Sequence, residues 1–176
     1  MLRLASLLSV AAALLHSRPP LHRATRLRAA PVSDPFADPF AATDMRPIVL
    51  YDGVCRMCNF WVDWVLANDR EKNVRFCALQ SDVGRALLER SGRRPDDISS
   101  IVLVTADGAH VKSDAVFEIG RRLRVTTPLS TLGQAVIPKP IADAAYDAIA
   151  DNRYNIAGKR PARFTDAKDA DRFLGE

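Results

Sequence analysis

At 176 residues the chain can form one domain with a true hydrophobic core but is too short for two ordinary ones. Its formal charge of +4 originates in residues 1–33, which carry five arginines and no acid; from residue 45 onward 20 basic side chains face 18 acidic ones. That near-neutral body has no basic stripe interleaved with aromatics, which argues against nucleic-acid binding, and three cysteines (Cys55, Cys58, Cys77) cannot make a disulfide scaffold, so packing must hold the fold.

Residues 1–44 read as a targeting segment and linker, expected to be disordered. The apolar run from Leu4 to Leu15 is too short to span a bilayer but suits a signal-peptide core, and the Arg-rich, acid-free stretch after it suits a transit peptide. Together they imply a two-part plastid signal and a chloroplast location, with a mitochondrial presequence, a plain disordered extension or secretion as alternatives. No stable membrane insertion of the mature domain is expected.

The domain is expected over residues 45–160. "PIVLY" (47–51) is apolar on both faces and of strand length, as in a centrally buried strand. The Asp52-Gly53 turn follows, and then Met57, Trp61, Trp64, Val65 and Asn68 recur at helical spacing, predicting a helix from about Cys55 to Asp69 with Trp61 and Trp64 facing the core. "NVRFCAL" (73–79) alternates as a strand that places Cys77 opposite Val74 and Phe76, where a cysteine serves as a small hydrophobe. A helix capped by Ser81 and closed near Gly92 comes next, followed by the strand "IVLVT", a tight hairpin at Asp107-Gly108 and a short fourth strand. Ser113 is expected to cap a further helix built on Val116, Ile119, Gly120 and Leu123, and Lys112 and Ser113 to end the strand before it. His110 sits in the hairpin, where a polar residue needs no functional reading. Ile141, Ala145, Ala148 and Ile149 give a C-terminal helix; the basic residues of "NRYNIAGKRPAR" read as its solvated end, and residues 161–176 as a loose polar tail.

The fold class that results is α/β: a thioredoxin-like βαβαββα sandwich with an added C-terminal helical segment, in which the CxxC falls at the N-terminus of the first helix. A cysteine there is placed to ionise, because unpaired backbone N–H groups and the positive helix end favour the thiolate. Cys55 is thus the expected nucleophile, with Arg56 adding positive charge beside it. Cys58, one turn on, is the expected resolving thiol. Asp52 either accepts the proton of Cys58 or only holds the turn.

The quoted motif "YDGVCRMCN", with Asp52, Cys55 and Cys58, resembles the DCC family of thiol-disulfide oxidoreductases, as do "RFCALQSDVGRALL" (75–88), "VKSDAVFEI" (111–119) and "AYDAIADNRYNIAGKR" (145–160). The resemblance covers roughly residues 47–160. It implies thiol-disulfide exchange with protein partners through the CxxC dithiol. No cofactor is implied, since neither a dinucleotide loop nor a P-loop is present. One departure from the wider thioredoxin-like pattern is that Ser99 and Ser100 stand where a cis-proline usually precedes the third strand, which points to altered docking of partners. Two alternatives stay open: a metal module, either zinc with Cys77 or His110 joining the CxxC, although no second half of a zinc motif exists, or an iron–sulfur cluster shared between two chains, and a redox-inactive interaction domain.

Overall fold

A computed structural model describes residue 40, residues 44–161 and residues 165–175, all within the unit Ser33–Glu176. The targeting segment expected over residues 1–44 lies almost wholly outside the described residues. Strand β1 (Ile48–Tyr51) is followed by helix α1 (Arg56–Asn68), β2 (Arg75–Ala78), α2 (Asp82–Arg90), β3 (Val102–Thr105), β4 (Gly108–Val111) and α3 (Lys112–Arg122). Two more helices follow, α4 (Thr127–Val136) and α5 (Lys139–Ala157), then a 3-10 helix (Ala167–Arg172) and β5 (Phe173–Leu174). The sheet order is β4-β3-β1-β2-β5, with β1 parallel to β2 and antiparallel to β3. This is the thioredoxin-like α/β arrangement, extended at one edge by β5.

All four residues of β1 are buried because the strand is covered on both faces. Val49 and Tyr51 join Val62 and Val65 of α1, Phe76, Leu103, and Ala115 and Ile119 of α3 in one core layer. Ile48 and Leu50 point the other way, into a layer with Cys77, Leu79, Val102 and the α2 residues Leu87 and Leu88. Burying each such aliphatic or aromatic side chain contributes roughly 1.5–3 kcal/mol, so the sheet is the stable platform on which the β1–α1 turn is mounted. The Ser81 cap is as expected: its hydroxyl accepts from Gly84 N at 3.0 Å. Gly84 lets α2 approach β2, since a Cβ there would lie 2.1 Å from Ala78 O.

Several local expectations are corrected. The buried face of α1 is Asn59, Val62 and Val65, whereas Trp64 is 39% exposed; only Trp61 packs against the core. "TPLSTLGQAV" forms a further helix, α4, none of whose residues is fully buried and whose Ser130 and Gly133 lie against Gly120 and Phe117 of α3. Lys112 and Ser113 belong to α3, and Ser113 makes no cap: its hydroxyl donates to Asp143 of α5. The tail is not loose where it is described. Phe173 pairs with and stacks on Phe76, at 5.4 Å between ring centroids, and Arg172, 1% exposed, pairs with Asp69 at 2.5 Å. Among the described residues no helix is long and apolar enough to cross a membrane.

Candidate active site

The turn that joins β1 to α1 is fixed by its own polar groups. Asp52 Oδ1 accepts from Val54 N at 3.1 Å and Asp52 O accepts from Cys55 N at 3.3 Å, which closes the turn. Gly53 is buried and donates its N–H to Gln80 Oε1 at 3.0 Å. Asn59, fully buried, donates to the carbonyls of Gly53 and Cys55 at 2.9 and 2.8 Å, so the loop is tied to the first turn of α1. Cys55 is the N-cap of that helix, with its sulfur accepting from Cys58 N at 3.2 Å. The three residues expected to form the site therefore meet: ligand atoms of Asp52, Cys55 and Cys58 all lie within 4.8 Å of one another.

Asp52 is 4% exposed, and its carboxylate is filled by donors from two distant parts of the chain. Gln80 Nε2 donates to Oδ1 at 2.8 Å, while Arg153 Nε at 3.3 Å and the Tyr154 hydroxyl donate to Oδ2. Arg153 also donates to the carbonyls of Ala150 and Ile98, at 2.7 and 3.1 Å, and lies over the Tyr154 ring. The Asp52 side chain thus holds the turn and docks α5 on it. Burial and the Asp52 hydrogen bond push the Tyr154 hydroxyl above its ordinary range. The basic residues of "NRYNIAGKR" are accordingly not just a solvated helix end: the Arg153 side chain is 11% exposed and ion-paired with Asp52.

The two cysteines differ in what they face. Cys55 is 0% exposed. Gly158 ends α5 at φ +76°, a left-handed conformation that favours glycine, and turns the chain back over the motif. Arg56 N then donates to Gly158 O at 3.2 Å and Arg160 N to Val54 O at 2.8 Å, forming a β-bridge between Cys55 and Lys159. Cys58 is half-buried and lines a cavity of about 290 Å³ with Tyr51, Asp52, Met57, Trp61, Leu79, Ile98, Ser99, Ser100, Ile101, Val116, Tyr146, Ile149, Ala150 and Arg153. Burial, and then the hydrogen bond with Cys55, push the Cys58 thiol well above the ordinary thiol value of 9.0. Ser99 and Ser100, which precede β3, line the same cavity as Cys58.

Of the other residues singled out, Cys77 is buried in the opposite core layer, with its sulfur 3.3 Å from Ser81 Oγ, as expected of a packing cysteine. Lys112 ion-pairs with Asp147 at 2.7 Å, and His110 of β4 pairs with Leu103 of β3. The cluster of potential metal-binding groups contains neither Cys77 nor His110. A structural zinc site normally takes four protein ligands, and the carboxylate of this three-residue cluster is occupied by four donors, one of them the Arg153 guanidinium, which repels a cation. Reading the sequence missed Arg153, Tyr154 and Gln80 as partners of Asp52. The signal was present in the two stretches "RFCALQ" and "NRYNIAGKR", but nothing in sequence spacing tells which distant groups meet an aspartate.

A family model described as DCC1-like thiol-disulfide oxidoreductase matches residues 49–159. A chloroplastic DCC family protein of Arabidopsis thaliana is 44% identical over 120 residues, covering 68% of this chain and 70% of that protein. The uncharacterized protein YuxK of Bacillus subtilis (strain 168) is 38% identical over 113 residues, covering 64% of this chain and 82% of that protein. No solved structure matches the chain significantly.

Proposed function

The chain belongs to the DCC1-like thiol-disulfide oxidoreductase family, and from that premise we propose that it exchanges disulfides with protein partners by cycling Cys55 and Cys58 between dithiol and disulfide. The observation that carries this reading is the placement of both sulfurs, one at the N-cap of α1 and one a turn later beside an open cavity, on a turn held from four sides by Asp52, Gln80, Asn59 and α5. A thiolate at Cys55 receives the Cys58 N–H and the positive end of the helix. Exchange then proceeds through a mixed disulfide between one of the two cysteines and the partner.

Asp52 acts in this reading as a positioning group. Its hydrogen bonds go to Val54, Gln80, Arg153 and Tyr154, and they fix the distance of the carboxylate from the two thiols. The chloroplast is the compartment we propose, on the basis of the Arg-rich leader and the chloroplastic Arabidopsis relative.

The test is turnover of a protein disulfide by wild-type chain and three variants. Cys55→Ser and Cys58→Ser should each abolish turnover, whereas Cys77→Ser should retain it. Unchanged turnover in both of the first two variants would remove the dithiol from the reaction.

A further inference from the structure

The asymmetry of the two sulfurs bears on what the partner brings to the site. Cys55 is closed off by the Gly158–Arg160 backbone, so a bulky disulfide or thiol cannot reach it without breaking the bridge between Cys55 and Lys159. Cys58 is open to a cavity whose walls are apolar apart from the groups around Asp52, Ser99 and Ser100. Val116 and Ile149, 38% and 54% exposed, mark where it meets solvent. Its volume of about 290 Å³ compares with the about 150 Å³ of an apolar cavity that holds benzene. There is space for a phenylalanine- or leucine-sized side chain and part of the adjoining backbone.

Resting on the thiol-disulfide reading above, we propose that the partner is a protein segment in which a cysteine adjoins a large apolar residue, that this residue fills the cavity, and that the partner joins the chain at Cys58. In the disulfide form of the protein, the partner's thiolate attacks Cys58 Sγ. The Cys55–Cys58 bond breaks, and its electron pair goes to Cys55 Sγ, where the Cys58 N–H and the helix N-terminus receive the charge. A second thiolate of the partner then attacks its own sulfur in the mixed disulfide, forming the partner's disulfide and releasing Cys58, which takes up a proton. The two partner thiols lose two electrons and two protons; the Cys55–Cys58 pair gains the electrons, and full reduction is complete when Cys55 as well as Cys58 has taken a proton from solvent; exchange with a second disulfide restores the pair. The high proton affinity that burial gives Cys58 suits a sulfur that is attacked rather than one that attacks. It also makes Cys58 the poorer leaving group, so the mixed disulfide persists long enough to be caught.

The experiment mixes oxidised full-length chain with acetyl-Cys-Phe-amide, acetyl-Cys-Ser-amide, benzyl mercaptan or dithiothreitol, quenches in acid at intervals, and locates the adduct by mass after digestion. The phenylalanine peptide should react at least about tenfold faster than the serine peptide, and its adduct should lie on Cys58. An adduct on Cys55, or equal rates for the two peptides, overturns the proposal, while ready reduction by dithiothreitol in the same series keeps the redox reading intact. Benzyl mercaptan matching the phenylalanine peptide overturns the peptide assignment in favour of a free apolar thiol. A pair that never forms a disulfide, or that dithiothreitol does not reduce, overturns both readings.

Discussion

Replacing Arg153 by methionine should both destabilise the fold and loosen α5 from the motif. The side chain is 11% exposed, the side chain of its partner Asp52 is 3% exposed, and Arg153 donates to the carbonyls of Ala150 and Ile98 as well. Removing one partner of a buried ion pair leaves the other charge uncompensated, at a cost of about 3–5 kcal/mol. At about 3 °C per kcal/mol for a chain of this size, Tm should fall by roughly 9–15 °C. Asp52→Asn should be destabilising for the same reason, but the double variant should lose less than the sum of the two, with a coupling of about 0.5–3 kcal/mol, because only the first substitution breaks the pair. Thermal unfolding of the reduced protein, followed by circular dichroism for the wild type, the two single variants and the double variant, measures this directly. Additive losses, or a single-variant shift within about 3 °C, would refute the idea that Asp52 docks the C-terminal helix through Arg153.

Other outcomes follow from the same structure. Asp69→Ala should cost about 3–5 kcal/mol in urea unfolding, since it leaves the Arg172 guanidinium buried without its anion and frees the N–H groups of Asn73 and Val74. Gly84→Ala should destabilise by roughly 1–3 kcal/mol in spite of the better helix propensity of alanine, because the new methyl would meet the Ala78 carbonyl; a stabilised variant would show that α2 can move away from the sheet at little cost. The reduced protein should be less stable in alkali. The folded Cys58 thiol holds its proton above the ordinary value of 9.0, so its contribution is complete below pH 9 and is lost as pH rises beyond it, a trend that Cys58→Ser should flatten in unfolding measured from pH 8 to 10.5.

How far the sequence discloses this molecule depends on the range of the interactions concerned. Strand β1, the turn at Asp52-Gly53, helix α1 and the Ser81 cap were legible because each rests on neighbours a few residues apart. The alternation that sets Cys77 apart from Phe76 likewise read correctly onto the two faces of the sheet. Helix α4 was not foreseen: none of its residues is fully buried, and it packs on α3, where Ser130 meets Gly120 and Gly133 meets Phe117. Strand β5 was hidden for a different reason: two residues, Phe173 and Leu174, pair with β2 from almost a hundred positions away, next to a buried arginine, a residue type that is mostly exposed. At the site, the dithiol was read from its motif alone. The donors around Asp52 were not, because Gln80, Arg153 and Tyr154 reach it from separate elements. Nor could the greater burial of Cys55 be anticipated, as it arises from the return of the chain at Gly158.

Whether Cys55 and Cys58 form a reversible redox pair is read by equilibrating the metal-free protein in dithiothreitol buffers of graded potential, alkylating the free thiols and weighing the product by mass spectrometry. The expected result is a two-electron transition in which Cys55 and Cys58 lose and regain their alkylation sites together while Cys77 remains a thiol throughout. Thiols that never pair across the whole range, or a transition that involves Cys77, would contradict it.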